Sequence, residues 1–196
     1  MTYIAQNTSI PVPRVQAVLR YKGKSRYEYA LIMDYVRASE RTWSKLSPTD
    51  RANVAEQLAG YISELRRLVP PRPGRVEAVD GTACTDPKTN VAVKPGTVDE
   101  FHRQLGHELR IHGRQYRTMF CHADLTWHNI LIRDGKIVSI LDWQSGGWYP
   151  EYWEYTRLNM IWTFVDPSFW DLLKPRLSQY EDELRADRSL MEAFSM

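Results

Sequence analysis

No apolar run in the 196-residue chain reaches the ~20 residues a membrane-spanning helix needs, which excludes a helical span. Residues 1–10 lack the basic-then-apolar pattern of a secretory signal, so a cytoplasmic location is expected. Cysteine is scarce. Cys84 and Cys121 make neither a disulfide framework nor a metal-type spacing, and they read as reduced and inert. An excess of one charge is also missing: the net charge is only +2, and no basic stripe carries interleaved aromatics, which argues against a nucleic-acid partner. The densest basic stretch, Arg66, Arg67, Arg72 and Arg75, is broken by prolines and reads as a solvated helix end and loop. There is no repeat, no low-complexity tract, and no glycine-rich loop before Gly23.

What is present is an ordinary globular composition with abundant aromatics. Seven Trp and eleven Tyr can fill a core or line a small-molecule pocket, and composition alone leaves both open. Tyr3 to Ala5 could close a helix that ends at Asn7-Thr8-Ser9, after which Pro11 and Pro13 force an extended path. Val15–Tyr21 and Tyr27–Met33 read as strands joined by a hairpin turn around Lys22-Gly23-Lys24-Ser25. Ser47, Pro48 and Asp50 form a helix start, and Val54, Leu58, Tyr61, Ile62, Leu65 and Leu68 then recur on one helical face until Pro70-Pro71 stops it. Residues 70–98 are rich in Pro, Gly, Thr and Asp and read as a long loop. A helix is expected from about Val98 to His112, a strand over Arg117–Cys121, and two more strands, Ile130–Arg133 and Lys136–Leu141, around an Asp134-Gly135 turn. After Pro150 the chain reads as aromatic and helical, divided by Pro167 and Pro175, with a last helix from Phe169 to Leu184.

The chemistry concentrates in His122-Ala-Asp124-Leu-Thr-Trp-His128-Asn129 and in Asp142 beyond the hairpin. With a two-residue turn at Asp134-Gly135, Arg133 faces Lys136 and Asn129 faces Ile140, so Asp142 lies two residues past Asn129's partner at the same open end. Asp124 leads into that end. Two carboxylates and a carboxamide there are the oxygen donors Mg²⁺ takes, and a carboxylate nearby can accept the proton of a hydroxyl nucleophile. The competing reading is that these side chains only cap loops; Asp134 is assigned to the turn alone.

His122-x-Asp124-x-x-x-x-Asn129 followed by Ile140-Leu141-Asp142-Trp143 resembles the aminoglycoside phosphotransferase/choline kinase family. Thr8-Ser9-Ile10-Pro11-Val12-Pro13-Arg14-Val15 and Gly147-Trp148-Tyr149-Pro150-Glu151-Tyr152-Trp153-Glu154-Tyr155 look like a fungal branch of it. The resemblance implies an α+β, protein-kinase-like C-lobe, mostly helical with small β-hairpins, and an N-lobe that is truncated. Residues 1–36 would supply residual N-lobe strands and a hinge, and 37–196 the C-lobe. It implies Asp124 as catalytic base with His122 bracing the loop, and Asn129 and Asp142 as Mg²⁺ ligands. The hinge would be Leu31 to Val36, with Asp34, Tyr35 and Val36 meeting the adenine of ATP. A substrate would enter between residues 70–98 and the aromatic segment, near Trp148, Tyr149, Glu151 and Tyr152; Glu151 could equally cap the next helix, and the aromatics could equally be core. Lys22 and Lys24 lie in a turn and are not assigned to phosphate. Three functions follow. One is a phosphotransferase acting on a small hydroxylated molecule with ATP and Mg²⁺. The second is an enzyme of nucleotide-independent acid/base chemistry needing neither, for instance cyclisation, isomerisation or elimination of a natural-product intermediate. The third is a non-catalytic binder.

Overall fold

The computed structural model describes residues 1–22, 27–38, 45–86, 91–106, 111 and 113–194. The turn expected at Gly23 to Ser25, and residues 107–110 and 112 of the expected third helix, lie outside the described residues. A short helix α1 (Thr2–Asn7) leads through the proline segment into β1 (Val15–Lys22), which pairs antiparallel with β2 (Tyr27–Met33). Much of this ribbon is exposed, including Val18, Leu19, Tyr29 and Ile32.

The longest helix, α2 (Pro48–Arg67), starts where local chemistry places it. Ser47 Oγ accepts from the Asp50 amide at 3.1 Å, and proline at the first position needs no donor. Its buried face is Val54, Ala55, Leu58, Ile62 and Leu65, close to the face the periodicity predicts, with Tyr61 and Leu68 only partly buried. Ser47→Ala is expected to cost about 1 kcal/mol of stability, read as a lower urea midpoint at unchanged slope.

Residues 70–98 depart from the expected loop. They hold β3 (Arg75–Ala78), β4 (Cys84–Asp86), β5 (Val91–Val93) and the two-residue β6 (Gly96–Thr97). Polar and small residues enter the strands themselves, Thr85 and Asp86 in β4 and Gly96 and Thr97 in β6, and each strand is too short for alternation to be read. Thr97 and Glu100 form a capping box at the start of α3 (Val98–Leu105), which stops at Gly106, whose φ of 69° supplies a left-handed cap. The chain then forms β7 (Thr118–Cys121), the hairpin β8 (Ile130–Arg133) and β9 (Lys136–Ile140), and β10 (Gly147–Pro150). No strand is expected from the sequence at β10, yet it is central: β6, β3, β10 and β7 form one sheet in that order, with β10 antiparallel to both β3 and β7. Three helices follow, α4 (Trp153–Val165), α5 (Pro167–Leu173) and α6 (Glu181–Phe194). The single helix expected over 169–184 is split by a 3₁₀ turn at Lys174–Arg176, where Pro175 cannot donate to a helical ladder.

Two apolar clusters hold these parts together. One joins α2, the β8–β9 hairpin, α4 and α5 through Leu58, Ile132, Leu158 and Phe169; the other joins α3, β3, β10 and the start of α4 through Val76, Phe101, Tyr149 and Trp153. Residues 122–129 lie between them, with Ala123 in the second cluster and Leu125 in the first.

Candidate active site

The β8–β9 turn is built as its residues dictate. Asp134 and Gly135 both take positive φ, 51° and 68°, the pattern of a type I′ hairpin turn. Arg133 faces Lys136, but the register then slips by one residue, so Ile130 rather than Asn129 faces Ile140. Asn129 instead accepts at its carbonyl from the Leu141 amide, 2.8 Å. Asp142 therefore follows Asn129's partner by one residue, not two. Gln57 of α2 helps set this register. Its Oε1 accepts from the Ile137 amide at 3.0 Å, and its Nε2 donates to the Gly135 carbonyl at 3.2 Å. A partner so distant in the chain is invisible to hairpin arithmetic.

The segment 122–129 is fastened at both ends. His122 is fully buried, its Nδ1 accepting from the Asp124 amide (3.2 Å) and its Nε2 facing the Leu141 carbonyl at 2.8 Å. That pairing requires the proton on Nε2. Burial lowers the imidazole to about 4, so His122 is neutral near pH 7 and acts as a brace. Ala123 takes a positive φ of 68°, and Asp142 sits at 55°. Asn129 Nδ2 donates to the Asp124 carbonyl at 2.8 Å and to Asp124 Oδ2 at 3.1 Å. Both bonds are made by Nδ2; Oδ1 is the acceptor oxygen of the same side chain.

Asp124 is half-buried. Burial pushes its carboxyl up, the Asn129 bond pulls it down, and the Asp142 carboxylate pushes it up again, leaving it raised overall. Asp142 is exposed and lines a cavity of about 610 Å³ with Asn129, Met33, Leu141 and Gln144. A second cavity, of about 480 Å³, is lined by Asp34, Tyr35, Val36, Pro13 and Leu131, and shares Met33 and Leu141 with the first. Asp34–Val36 and the two candidate metal ligands thus line two adjoining cavities that share Met33 and Leu141.

Two residues that the sequence did not single out complete the site. Glu154 of α4 is 3% exposed, and its Oε2 accepts from the amides of His122 (2.6 Å) and Ala123 (3.3 Å). Burial raises it to about 7. An acid in the otherwise aromatic run Trp153-Glu154-Tyr155 is the signal that could have found it. Arg157, one turn on, is buried, stands 3.7 Å from Asp86, and its charge draws Asp124 down. The residues expected to meet a substrate fare differently. Trp148, Tyr149 and Tyr152 are at most 1% exposed and have no surface to offer a solute. Glu151 neither caps α4 nor stands free: it pairs with Arg117 at 2.8 Å. Both thiols are pushed up by burial, Cys84 to about 11, as inert cysteines should be.

Among the described residues no group of three or more His, Cys, Asp and Glu side chains could hold a metal unaided. Asn129 and Asp142 fit Mg²⁺, which takes one or two protein oxygens and completes its shell with water and phosphate.

The family model of the phosphotransferase enzyme family, APH, matches residues 1–190. The chain belongs to this family. Solved aminoglycoside phosphotransferases share its fold. The GDP and kanamycin complex of APH(2")-IIia superposes with a TM-score of 0.58 at 11% identity, over 99% of this chain and 69% of that one. The streptomycin-ATP-APH(2")-IIa ternary complex gives 0.57 at 15% identity, over 97% and 67%. No curated protein matches the chain at a significant level. Among the described residues of this family member, no helix is long and apolar enough to cross a membrane.

Proposed function

We propose that this member of the phosphotransferase family transfers the γ-phosphoryl group of ATP to a hydroxyl of a small molecule. The single observation that carries the reading is the pair of adjoining cavities: Asp34–Val36 line one, Asn129 and Asp142 the other, Met33 and Leu141 line both, and Asp124 is bonded to Asn129. Asp124 orients the acceptor hydroxyl and takes its proton as the hydroxyl oxygen bonds to the γ-phosphorus and the bridging β–γ bond breaks. A raised carboxyl is a better proton acceptor near neutrality, and half-burial limits competition from water. His122, neutral and buried, holds Asp124's backbone in place and moves no proton. Asp34, Tyr35 and Val36 offer backbone groups to adenine. Mg²⁺ held by Asn129 and Asp142 would neutralise the charge on the transferred phosphates. Support comes from the family and from relatives solved with a nucleotide and a hydroxylated small molecule together; the substrate class is left at that chemistry.

Mg-ATP is expected to raise the melting temperature of the 196-residue chain, since a ligand present at about 100 times its Kd stabilises by about 2.7 kcal/mol. Asp142→Ala should remove the Mg²⁺-dependent part of that shift. A folded chain whose melting temperature ignores millimolar Mg-ATP sinks the phosphotransferase reading. Turnover that persists in EDTA without nucleotide, and is lost in Asp124→Asn, would instead favour acid/base chemistry by Asp124 alone.

A further inference from the structure

A cavity of about 330 Å³ lies between α2, the entry to β7, α4 and the turn at 176–178. Neither Asp124, Asn129 nor Asp142 lines it. Its walls carry two chemistries. Ile62, Met119 and Leu158 are apolar, while Arg66, Arg67, Arg117 and Arg176 set four guanidinium groups around it. Arg66, Arg117 and Arg176 each already have a protein acceptor, in the Glu151 carbonyl, the Glu151 carboxylate and Glu56 respectively. Each guanidinium carries five N–H donors, so donors remain. Glu154 forms part of the wall. Its Oε2 is taken by the amides of His122 and Ala123, and its buried Oε1 has no hydrogen-bond partner among the described residues.

We propose that this cavity is a second binding site, for a small organic acid with an apolar body, whose occupancy reaches the catalytic loop through Glu154. Arg117 and Arg176 are paired with the Glu151 and Glu56 carboxylates, but among the described residues Arg66 and Arg67 have only neutral acceptors, so the wall keeps an excess of positive charge that selects an anion. The apolar wall selects a hydrocarbon body, and the volume sits at the lower end for small-molecule sites. Oε1 is the unpartnered oxygen of Glu154 among the described residues, covered by its neighbours, so a ligand's carboxylate reaches it only by displacing the side chains that cover it. The charged and titratable groups around Glu154 are Arg66 and Arg67 from α2, Arg117 just before β7 and Cys121 at its end, Arg176 from the turn, Tyr155 beside it on α4, His122 and Asp124 from the loop, and Glu151, which pairs with Arg117. Burial raises Glu154 to about 7, Arg66 pulls it down, and Asp124 pushes it up. A protonated Oε1 donates to the ligand's carboxylate; an ionised one repels it.

Octanoate, titrated calorimetrically into the full chain without nucleotide, is the probe. Saturable one-site binding is expected, weakening about tenfold between about pH 6 and about pH 8 as Glu154 ionises. Glu154→Gln keeps an acceptor for the loop amides and a permanent donor for the ligand, so its affinity should hold across that range. Ala59→Phe fills the cavity from α2, and Ser63→Phe blocks it from a more exposed position; each should weaken binding at least about tenfold. No saturable binding by the folded wild type, or binding that the folded blocking variants leave unchanged, overturns the site. Equal pH dependence in wild type and Glu154→Gln overturns the link to the loop. The readout needs no phosphoryl transfer, so its failure leaves the phosphotransferase reading standing.

Discussion

Asp124→Asn is expected to lower turnover of any hydroxyl acceptor by about 10²- to 10⁴-fold while leaving KM for nucleotide nearly unchanged. The substitution is nearly isosteric, and its amide oxygen can still accept the Nδ2 bond that Asn129 now gives to Asp124 Oδ2 at 3.1 Å. The loop should therefore keep its shape, with His122 and Glu154 still fastening its start. What is lost is the group that receives the hydroxyl proton. One negative charge beside Asp142 also disappears, so Mg²⁺ affinity should change little compared with turnover. The check is a steady-state comparison with ATP and a panel of small hydroxylated acceptors. A variant that turns over as fast as wild type would remove Asp124 from the reaction; one that loses nucleotide binding and turnover together would make it a structural residue.

The second large effect is on stability and its pH dependence. Glu154 is held up at about 7 from an ordinary 4.5, and His122 is held down at about 4 from 6.5. The signs oppose. Between pH 4.5 and 7 the folded state binds more protons at Glu154 than the unfolded state does, so this contribution is fully present below pH 4.5 and is lost as pH rises to 7. His122 behaves in reverse: the unfolded state binds more protons between pH 6.5 and 4, so its contribution is lost on acidification. Each is worth on the order of 3 kcal/mol across its window, so they largely cancel where the windows overlap. Glu154→Gln removes one side of the balance. The wild-type unfolding free energy minus that of the variant should fall by on the order of 3 kcal/mol from about pH 4.5 to about pH 7, and the variant should lose stability steeply on acidification. Urea unfolding at several pH values measures both, and a difference curve without slope contradicts the raised Glu154. Glu154→Ala is the harsher test: two buried amides lose their acceptor, at about 1–3 kcal/mol each.

Local chemistry explains what could be read without coordinates. Ser47-Pro48 starts α2, Asp134-Gly135 turns the hairpin, and the spacing of Asp124, Asn129 and Asp142 puts them at one end of it, because each depends on neighbours a few residues away. Helix stops were less legible. Gly106 ends α3 at a position where periodicity alone would let it run on, and although Pro175 reads as a break, the helix expected over Phe169–Leu184 runs through it. The strands of residues 75–97 are too short to display a period, and β10 reads as an aromatic turn until β3 and β7 are seen on its two sides.

By itself, then, the sequence determined the phosphotransferase fold and the Asp124–Asn129–Asp142 set, since both are encoded in short-range pattern and spacing. Tertiary structure alone decided the rest. A Trp or Tyr has the same composition in a core as in a pocket, and only packing against β7 and α3 puts Trp148 and Tyr149 out of reach of solvent. The one-residue slip that brings Leu141 opposite Asn129 is set with the help of Gln57, about eighty positions away from its hairpin partner Ile137. The carboxylate that anchors the start of the 122–129 loop comes from Glu154, on a helix whose docking no local rule specifies. Burial and long-range hydrogen bonding depend on which distant segments meet, and those meetings are fixed only when the whole chain is folded.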